Sequence, residues 1–133
     1  MEKVEILILK NLLNNEEYAR KVLPFLKKDY FEEPSEQIVY EEISKFVSEY
    51  NKLASKEILC IEIENRKDVT DSSFKDVIGL VQSLEDSPSE FEWLVNTTEK
   101  WCRDRAIYLA LMESIQIADG NDEKKNRDAI PSI

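Results

Sequence analysis

The spacing of apolar residues along the chain predicts helices almost throughout. Strand-like alternation of apolar and polar residues occurs only at residues 5–9 and 59–63, and only two glycines and four prolines interrupt the sequence. In the first of these stretches the apolar residues also recur every three or four positions, as they do on one face of a helix. We therefore predict an all-α fold, a compact bundle of about six helices with a long last helix.

Polar residues and prolines indicate where the first three helices begin and end. The first helix is predicted over residues 4–13, and Asn14 has the spacing of a capping residue for a second helix that Pro24 ends. Pro34 suits the start of a third helix over residues 35–50. The apolar stripe of this helix comprises Ile38, Val39, Ile43, Phe46, Val47 and Tyr50, with Glu36, Glu41, Glu42, Lys45 and Glu49 on the remaining surface.

Two further caps are predicted in the middle of the chain. Ser55 is placed to cap a fourth helix that runs to about Ile63, and Asp71 is placed to cap a fifth that runs to about Leu84. The polar residues 65–70 between them are predicted to form a loop.

The sixth helix has the strongest start signal in the chain. In the run from Ser87 to Glu90, a capping serine is followed by a proline at the first helical position and a glutamate at the third. No helix breaker follows before about Ala118, which gives a length of roughly 40 Å. One apolar face is predicted to contain Phe91, Leu94, Val95, Thr98, Trp101, Cys102, Arg105, Leu109 and Met112.

The second half of this helix is apolar on the opposite face as well, at Ile107, Leu111, Ile115 and Ala118. Such a helix needs burial on more than one side. One interpretation is a central core helix surrounded by its own chain. The other is a segment that leaves the globule and packs against another subunit.

The charge of the chain argues against several classes of partner. There are 28 acidic and 18 basic residues, giving a net charge of -10, and this field repels phosphate backbones and anionic lipids. We therefore expect no direct binding to nucleic acid and none to membranes. No apolar run is long enough for a membrane span, and no signal peptide is evident, so we expect a cytoplasmic protein.

Residues for catalysis or metal binding are scarce. The chain has no histidine, its two cysteines are far apart, and its glycines do not form a phosphate-binding loop. We predict no catalytic residue, no cofactor and no metal site. A metal-dependent hydrolase built on carboxylates is a weak alternative, because the predicted apolar stripes contain almost no acidic residues.

Several motifs together resemble a known family. They are the opening helix 4–13, Lys28-Asp29-Tyr30-Phe31, Ile38-Val39-Tyr40, Asp86-Ser87-Pro88 leading into Trp93-Leu94-Val95 and Thr98-Glu99-Lys100, and Arg103-Asp104-Arg105-Ala106. In this order they resemble the N-terminal domain of DnaB-type replicative DNA helicases, most closely the version found in T-even-like bacteriophages. The resemblance extends over nearly the whole chain.

The resemblance implies a division into a head and an arm. Residues 1–105 would form a globular helical head. Residues 106–133 would form the first arm of a helical hairpin and, from Asp128, the start of a second arm that is cut short. The ATPase motor domain of the parent helicase would lie outside this chain.

The resemblance also implies partners. Neighbouring subunits would pair through the arms into a ring collar in the host cytoplasm, and the collar would dock primase to form a primosome. A helicase loader is a further candidate partner. By itself the chain would not be an enzyme, whereas the parent would be an ATP-dependent helicase. The predicted subunit interface contains Trp93, Ile107, Tyr108, Leu111, Met112, Ile115 and Ala118.

Two other functions remain open. The helicase-binding domain of a primase resembles the same helical fold, but such a domain lies at a C-terminus, whereas here Met1 leads almost directly into the first helix. An acidic phage adaptor or DNA mimic is favoured only by the charge and by the lack of a catalytic constellation.

Overall fold

The computed structural model of the protein describes residues 3–118, except for the side chain of Ala118. Within this range the chain is all-α, as predicted, with six helices and no strand. Two short 3-10 turns, Leu23–Phe25 and Lys28–Tyr30, connect the second helix to the third. The helices are α1 Val4–Asn14, α2 Glu16–Val22, α3 Pro34–Tyr50, α4 Lys56–Glu64, α5 Asp71–Ser83 and α6 Phe91–Ala118. The predicted start of a second arm at Asp128 lies outside the described residues.

The core is centred on α1, which contacts α2, α3 and α6. Ile8, Leu9 and Leu12 of this helix are completely buried. Burying each of these side chains contributes about 1.5–3 kcal/mol to folding. The other helices of the head add fully buried residues to the same cluster, among them Tyr18, Val22, Val39, Ile43, Leu59, Ile63, Val81 and Leu94.

The cap of α2 was predicted one residue too early. The side chain of Asn15, not that of Asn14, accepts the hydrogen bond from the Tyr18 amide, and the backbone of Asn15 is extended, as a capping residue requires. Asn14 is the last residue of α1 and its side chain donates to the Lys10 carbonyl instead. Two adjacent asparagines have the same capping propensity, so only the backbone conformation distinguishes them.

The cap of α5 is also shifted by one residue, whereas that of α4 is as predicted. Ser55 accepts from the amide of Ile58 at 3.1 Å. At α5 the prediction of Asp71 was wrong, because Thr70 is the cap and forms a reciprocal capping box with Ser73. Asp71 instead occupies the first turn, where its negative charge is favourable.

The start of α6 was predicted three residues too early. Residues 87–90 are not helical, and the helix begins at Phe91. The Glu90 carboxylate accepts hydrogen bonds from the amides of Glu92 and Trp93, at 3.2 and 2.6 Å. A glutamate therefore satisfies the free amides for which a serine was predicted.

The polar side of α3 is more buried, and one end of its apolar stripe more exposed, than predicted. Glu36 and Glu42 are buried, where they accept from Lys3 and Arg66, each at 2.8 Å. Tyr50, predicted in the stripe, is instead exposed. The reason is tertiary: Lys3 and Arg66, from outside α3, pair with two carboxylates on its acidic side.

Candidate subunit interface on the last helix

The first half of α6 is part of the head. Leu94, Val95, Thr98 and Cys102 are buried, and the helix contacts α1, α2 and the second 3-10 turn. The ring of Trp101 packs against two aromatic rings beside this turn. Its centroid lies 6.1 Å from that of Tyr30 and 5.0 Å from that of Phe31.

A hydrogen-bonded arginine marks the place where α6 leaves the head. Nε of Arg105 donates to the carbonyl of Tyr30 at 2.6 Å, and Nη1 donates to the Glu32 carboxylate at 3.3 Å. Tyr30 ends a 3-10 turn, so its carbonyl has no partner within that turn. The guanidinium also lies over the ring of Tyr108, 4.9 Å from its centroid. Arg105 therefore joins the head to the first turn of the protruding helix.

Beyond Arg105 the helix projects from the head. Every residue from Ala110 to Ile117 is exposed, and no hydrogen bond or ion pair in the described part of the chain joins this segment to the head. Ile107, Leu111 and Ile115 are 59%, 58% and 51% exposed. The interpretation of this half as a central core helix is therefore wrong. We call residues 106–117 the arm.

One side of the arm is an apolar stripe. Ile107, Leu111 and Ile115 follow one another at four-residue intervals and so share a side of the helix, which Tyr108 and Met112 widen. The opposite side carries Ala110, Glu113 and Ile117, whereas Ser114 and Gln116 flank the stripe. Met112 was predicted to lie in the core stripe and in the interface; it is exposed, so its packing in the core is excluded. We call Ile107, Tyr108, Leu111, Met112 and Ile115 the arm stripe.

Ile117 and Ala118 lie at the far end of α6. The side chain of Ala118 lies outside the described residues. Ile117 is also exposed on the arm, but it lies on the side opposite the stripe and is not part of the predicted interface.

The arm stripe has the character of an incomplete interface. Single exposed apolar residues are normal on protein surfaces, whereas contiguous patches usually mark sites of association. Five large apolar side chains on three consecutive turns form such a patch. A helix of this kind, isolated in water, gains little from packing and is stabilised when another surface covers it.

Trp93 is exposed but is not near the arm stripe. Its side chain is 53% exposed on the first turn of α6. Five helical turns separate Trp93 from Leu111, so the two lie on the same side of the helix but about 27 Å apart. The ion pair between Lys100 and Asp104, at 2.9 Å, lies between them. The structure therefore does not bring this predicted interface residue together with the others.

A shallow cleft lies beside the base of the arm. Its volume is about 330 Å³, and its lining comprises Phe25, Tyr30, Glu99, Cys102, Arg103 and Ala106. Burial and the nearby Glu99 carboxylate raise the pKa of the Cys102 thiol to about 11. This cleft was not predicted, because it forms between two segments that are far apart in the chain.

No cluster of three or more cysteines and acidic residues within residues 3–118 is arranged to hold a metal ion. None of the helices in this range is both long enough and apolar enough to cross a membrane.

Comparison with known proteins gives a clear relative. No family model matches the chain. The DnaB-like replicative helicase of Enterobacteria phage T4 is 34% identical over 138 residues, an alignment that covers 98% of this chain and 29% of the relative. The resemblance to DnaB-type replicative helicases of T-even phages is thereby confirmed. The chain spans less than a third of the length of this relative.

Proposed function

We propose that this relative of the phage T4 helicase is the N-terminal assembly and primase-docking domain of a DnaB-type replicative helicase, without catalytic activity of its own. The observation that carries the proposal is the arm stripe, an apolar surface that projects from a well-packed head. In this function the head occupies residues 1–105, and the arm supplies contacts to neighbouring subunits. ATP hydrolysis and DNA translocation would belong to other parts of the helicase.

The arrangement of charge supports a structural function. The chain has a net charge of -10, and carboxylates are spread over all of its helices. Such a domain repels the DNA backbone, so we propose that it contacts proteins and leaves DNA to the motor. Its partners in this proposal are further helicase subunits, primase and a helicase loader.

The assembly function is tested by the solution mass of the chain across a range of concentrations. The chain should form dimers or larger species as concentration rises, and Leu111→Glu should raise the dissociation constant at least about tenfold, because it places a charge in the arm stripe. Ile117→Glu is the matched control. It also replaces an exposed apolar side chain of the arm with a carboxylate, but on the side of the helix opposite the stripe, and should leave association unchanged.

The docking function requires a second measurement. Calorimetric titration with the primase of the same phage should show binding to the wild-type chain. A chain that stays monomeric at high micromolar concentration and binds no primase would contradict both functions and would favour the acidic adaptor instead.

A further inference from the structure

Trp93 is a large apolar residue that is exposed on the first turn of a long helix. Acidic residues surround it: Glu92 precedes it, and Glu90 caps the helix below it. The side chain of Glu92 has no hydrogen bond or ion pair within residues 3–118. Tryptophan is enriched at the centres of protein interfaces.

The cleft at the base of the arm has complementary properties. Its lining includes four apolar or aromatic residues, Phe25, Tyr30, Cys102 and Ala106, and its volume of about 330 Å³ can hold an indole ring. Two charged residues of α6, Glu99 and Arg103, complete the lining. Neither of these two charged side chains has a hydrogen bond or an ion pair in the described part of the chain. The Arg103 guanidinium is thus available to an incoming carboxylate.

A tryptophan cannot reach the cleft of its own chain. Cys102 follows Trp93 by nine residues, which at about 100° per residue places the two on opposite sides of α6. Because α6 is a continuous helix between them, the two features point away from each other. Only a second copy of the chain can bring them into contact.

We propose that Trp93 of one subunit inserts into the cleft of a neighbouring subunit, with Glu92 of the first subunit beside Arg103 of the second. This contact rests on the proposed assembly function and adds a second interface to the arm stripe. It joins two different surfaces, so it is heterologous. Contacts of this type generate closed rings when the rotation between subunits closes.

The test uses two variants that each lack one side of the contact. Trp93→Ala removes the inserting side chain, and Ala106→Gln places a longer polar side chain in the cleft. Both are made in the Leu111→Glu background, so that the arm stripe does not contribute. In the Ala106→Gln chain, emission from Trp93 should shift to the blue when excess Trp93→Ala chain is added, because its indole enters an intact cleft. Trp101 packs against Tyr30 of the cleft, so both chains also carry Trp101→Phe, which leaves Trp93 as the only source of tryptophan emission.

Controls make this outcome specific to the cleft. When the added Trp93→Ala chain also carries Ala106→Gln, its cleft is altered and no shift should occur. When it carries Ala110→Gln instead, one turn further along the arm, its cleft is intact and the full shift should occur. Glu92→Arg or Arg103→Glu alone should weaken association, because each places like charges opposite one another. The double variant should restore association, because the two charges are exchanged. Restoration identifies the pair of residues in contact, which a general loss of stability would not do.

The outcomes separate this proposal from the assembly function. If the wild-type chain associates through Leu111 but Trp93 emission does not respond to the second chain, the cleft contact is refuted and the assembly function stands. If Leu111→Glu has no effect on association but the emission shift occurs, the arm function fails and the cleft contact stands.

Discussion

Tyr18 and Thr98 share a buried hydrogen bond of 2.6 Å between their hydroxyl oxygens. The hydroxyl of Thr98 also lies 2.8 Å from the carbonyl of Leu94, to which it donates its single proton. Tyr18 must therefore be the donor to Thr98. This bond joins α2 to α6, and burial raises the pKa of the Tyr18 hydroxyl, so the donor keeps its proton.

The direction of this hydrogen bond predicts unequal effects of two substitutions. Thr98→Val leaves the buried Tyr18 hydroxyl without an acceptor and should lower the free energy of unfolding by about 1–3 kcal/mol. Tyr18→Phe leaves Thr98 bonded to Leu94 and should cost only about 1 kcal/mol. Urea unfolding of both single variants and the double variant measures the difference. Equal costs for the two would show that the donor assignment is wrong.

Arg105 should stabilise the chain through its contacts at the base of the arm. Its side chain is 13% exposed and donates to the Tyr30 carbonyl. Arg105→Ala should therefore lower the free energy of unfolding by about 1.5–3 kcal/mol, the range for a hydrogen bond to a charged group. Lys100→Ala, on the same helix in an exposed ion pair, should cost no more than about 0.5 kcal/mol. Thermal unfolding compares the two, and similar losses would count against the role of Arg105.

Glu42 and Arg66 form a partly buried ion pair on the covered side of α3. Glu42 is 5% exposed, and Arg66 donates to it at 2.8 Å. Arg66→Ala leaves this carboxylate without its main partner and should cost about 3–5 kcal/mol. Lys67→Ala changes the neighbouring exposed residue and serves as the control. If Glu42→Gln restores the stability of the Arg66→Ala chain, the loss came from the unpaired charge; if it does not, the loss came from packing.

The thiol of Cys102 should make stability fall at alkaline pH. Its pKa is raised from 9.0 to about 11 in the folded chain, so the unfolded chain loses this proton first as pH rises. The contribution to stability is complete below pH 9 and decreases between pH 9 and about 11. Cys102→Ser should flatten the dependence of the unfolding free energy on pH in this window. Identical profiles for both chains would contradict the assignment.

Local patterns predicted most of the fold but not its covered polar positions. Apolar spacing is a property of each helix alone, and it located all six. The capping residues were predicted less accurately because neighbouring polar residues, such as Asn14 and Asn15, compete for the same position. Burial of Glu36 depends on Lys3, which is 33 positions away, so no pattern within α3 indicates it.

For a related reason, the sequence predicted the apolar residues of the candidate interface but not whether they are buried or exposed. Apolar residues on both sides of a helix are expected for a core helix and for a helix that meets another subunit. Only the size of the head decides between them, and that size depends on how the first five helices pack. The cleft could not be predicted at all, because Phe25 and Ala106 are far apart in the sequence and line the same cleft only in the folded chain.

Because α6 is uninterrupted, a movement at one of its ends is transmitted to the other. The helix contains neither glycine nor proline, so the head and the arm share one stiff rod without a hinge. A tilt of about 10° at Arg105 displaces the far end of the arm by roughly 3 Å. Conversely, a force on that end exerts a torque on the buried turns around Thr98. A partner that binds the arm therefore also changes the orientation of the head.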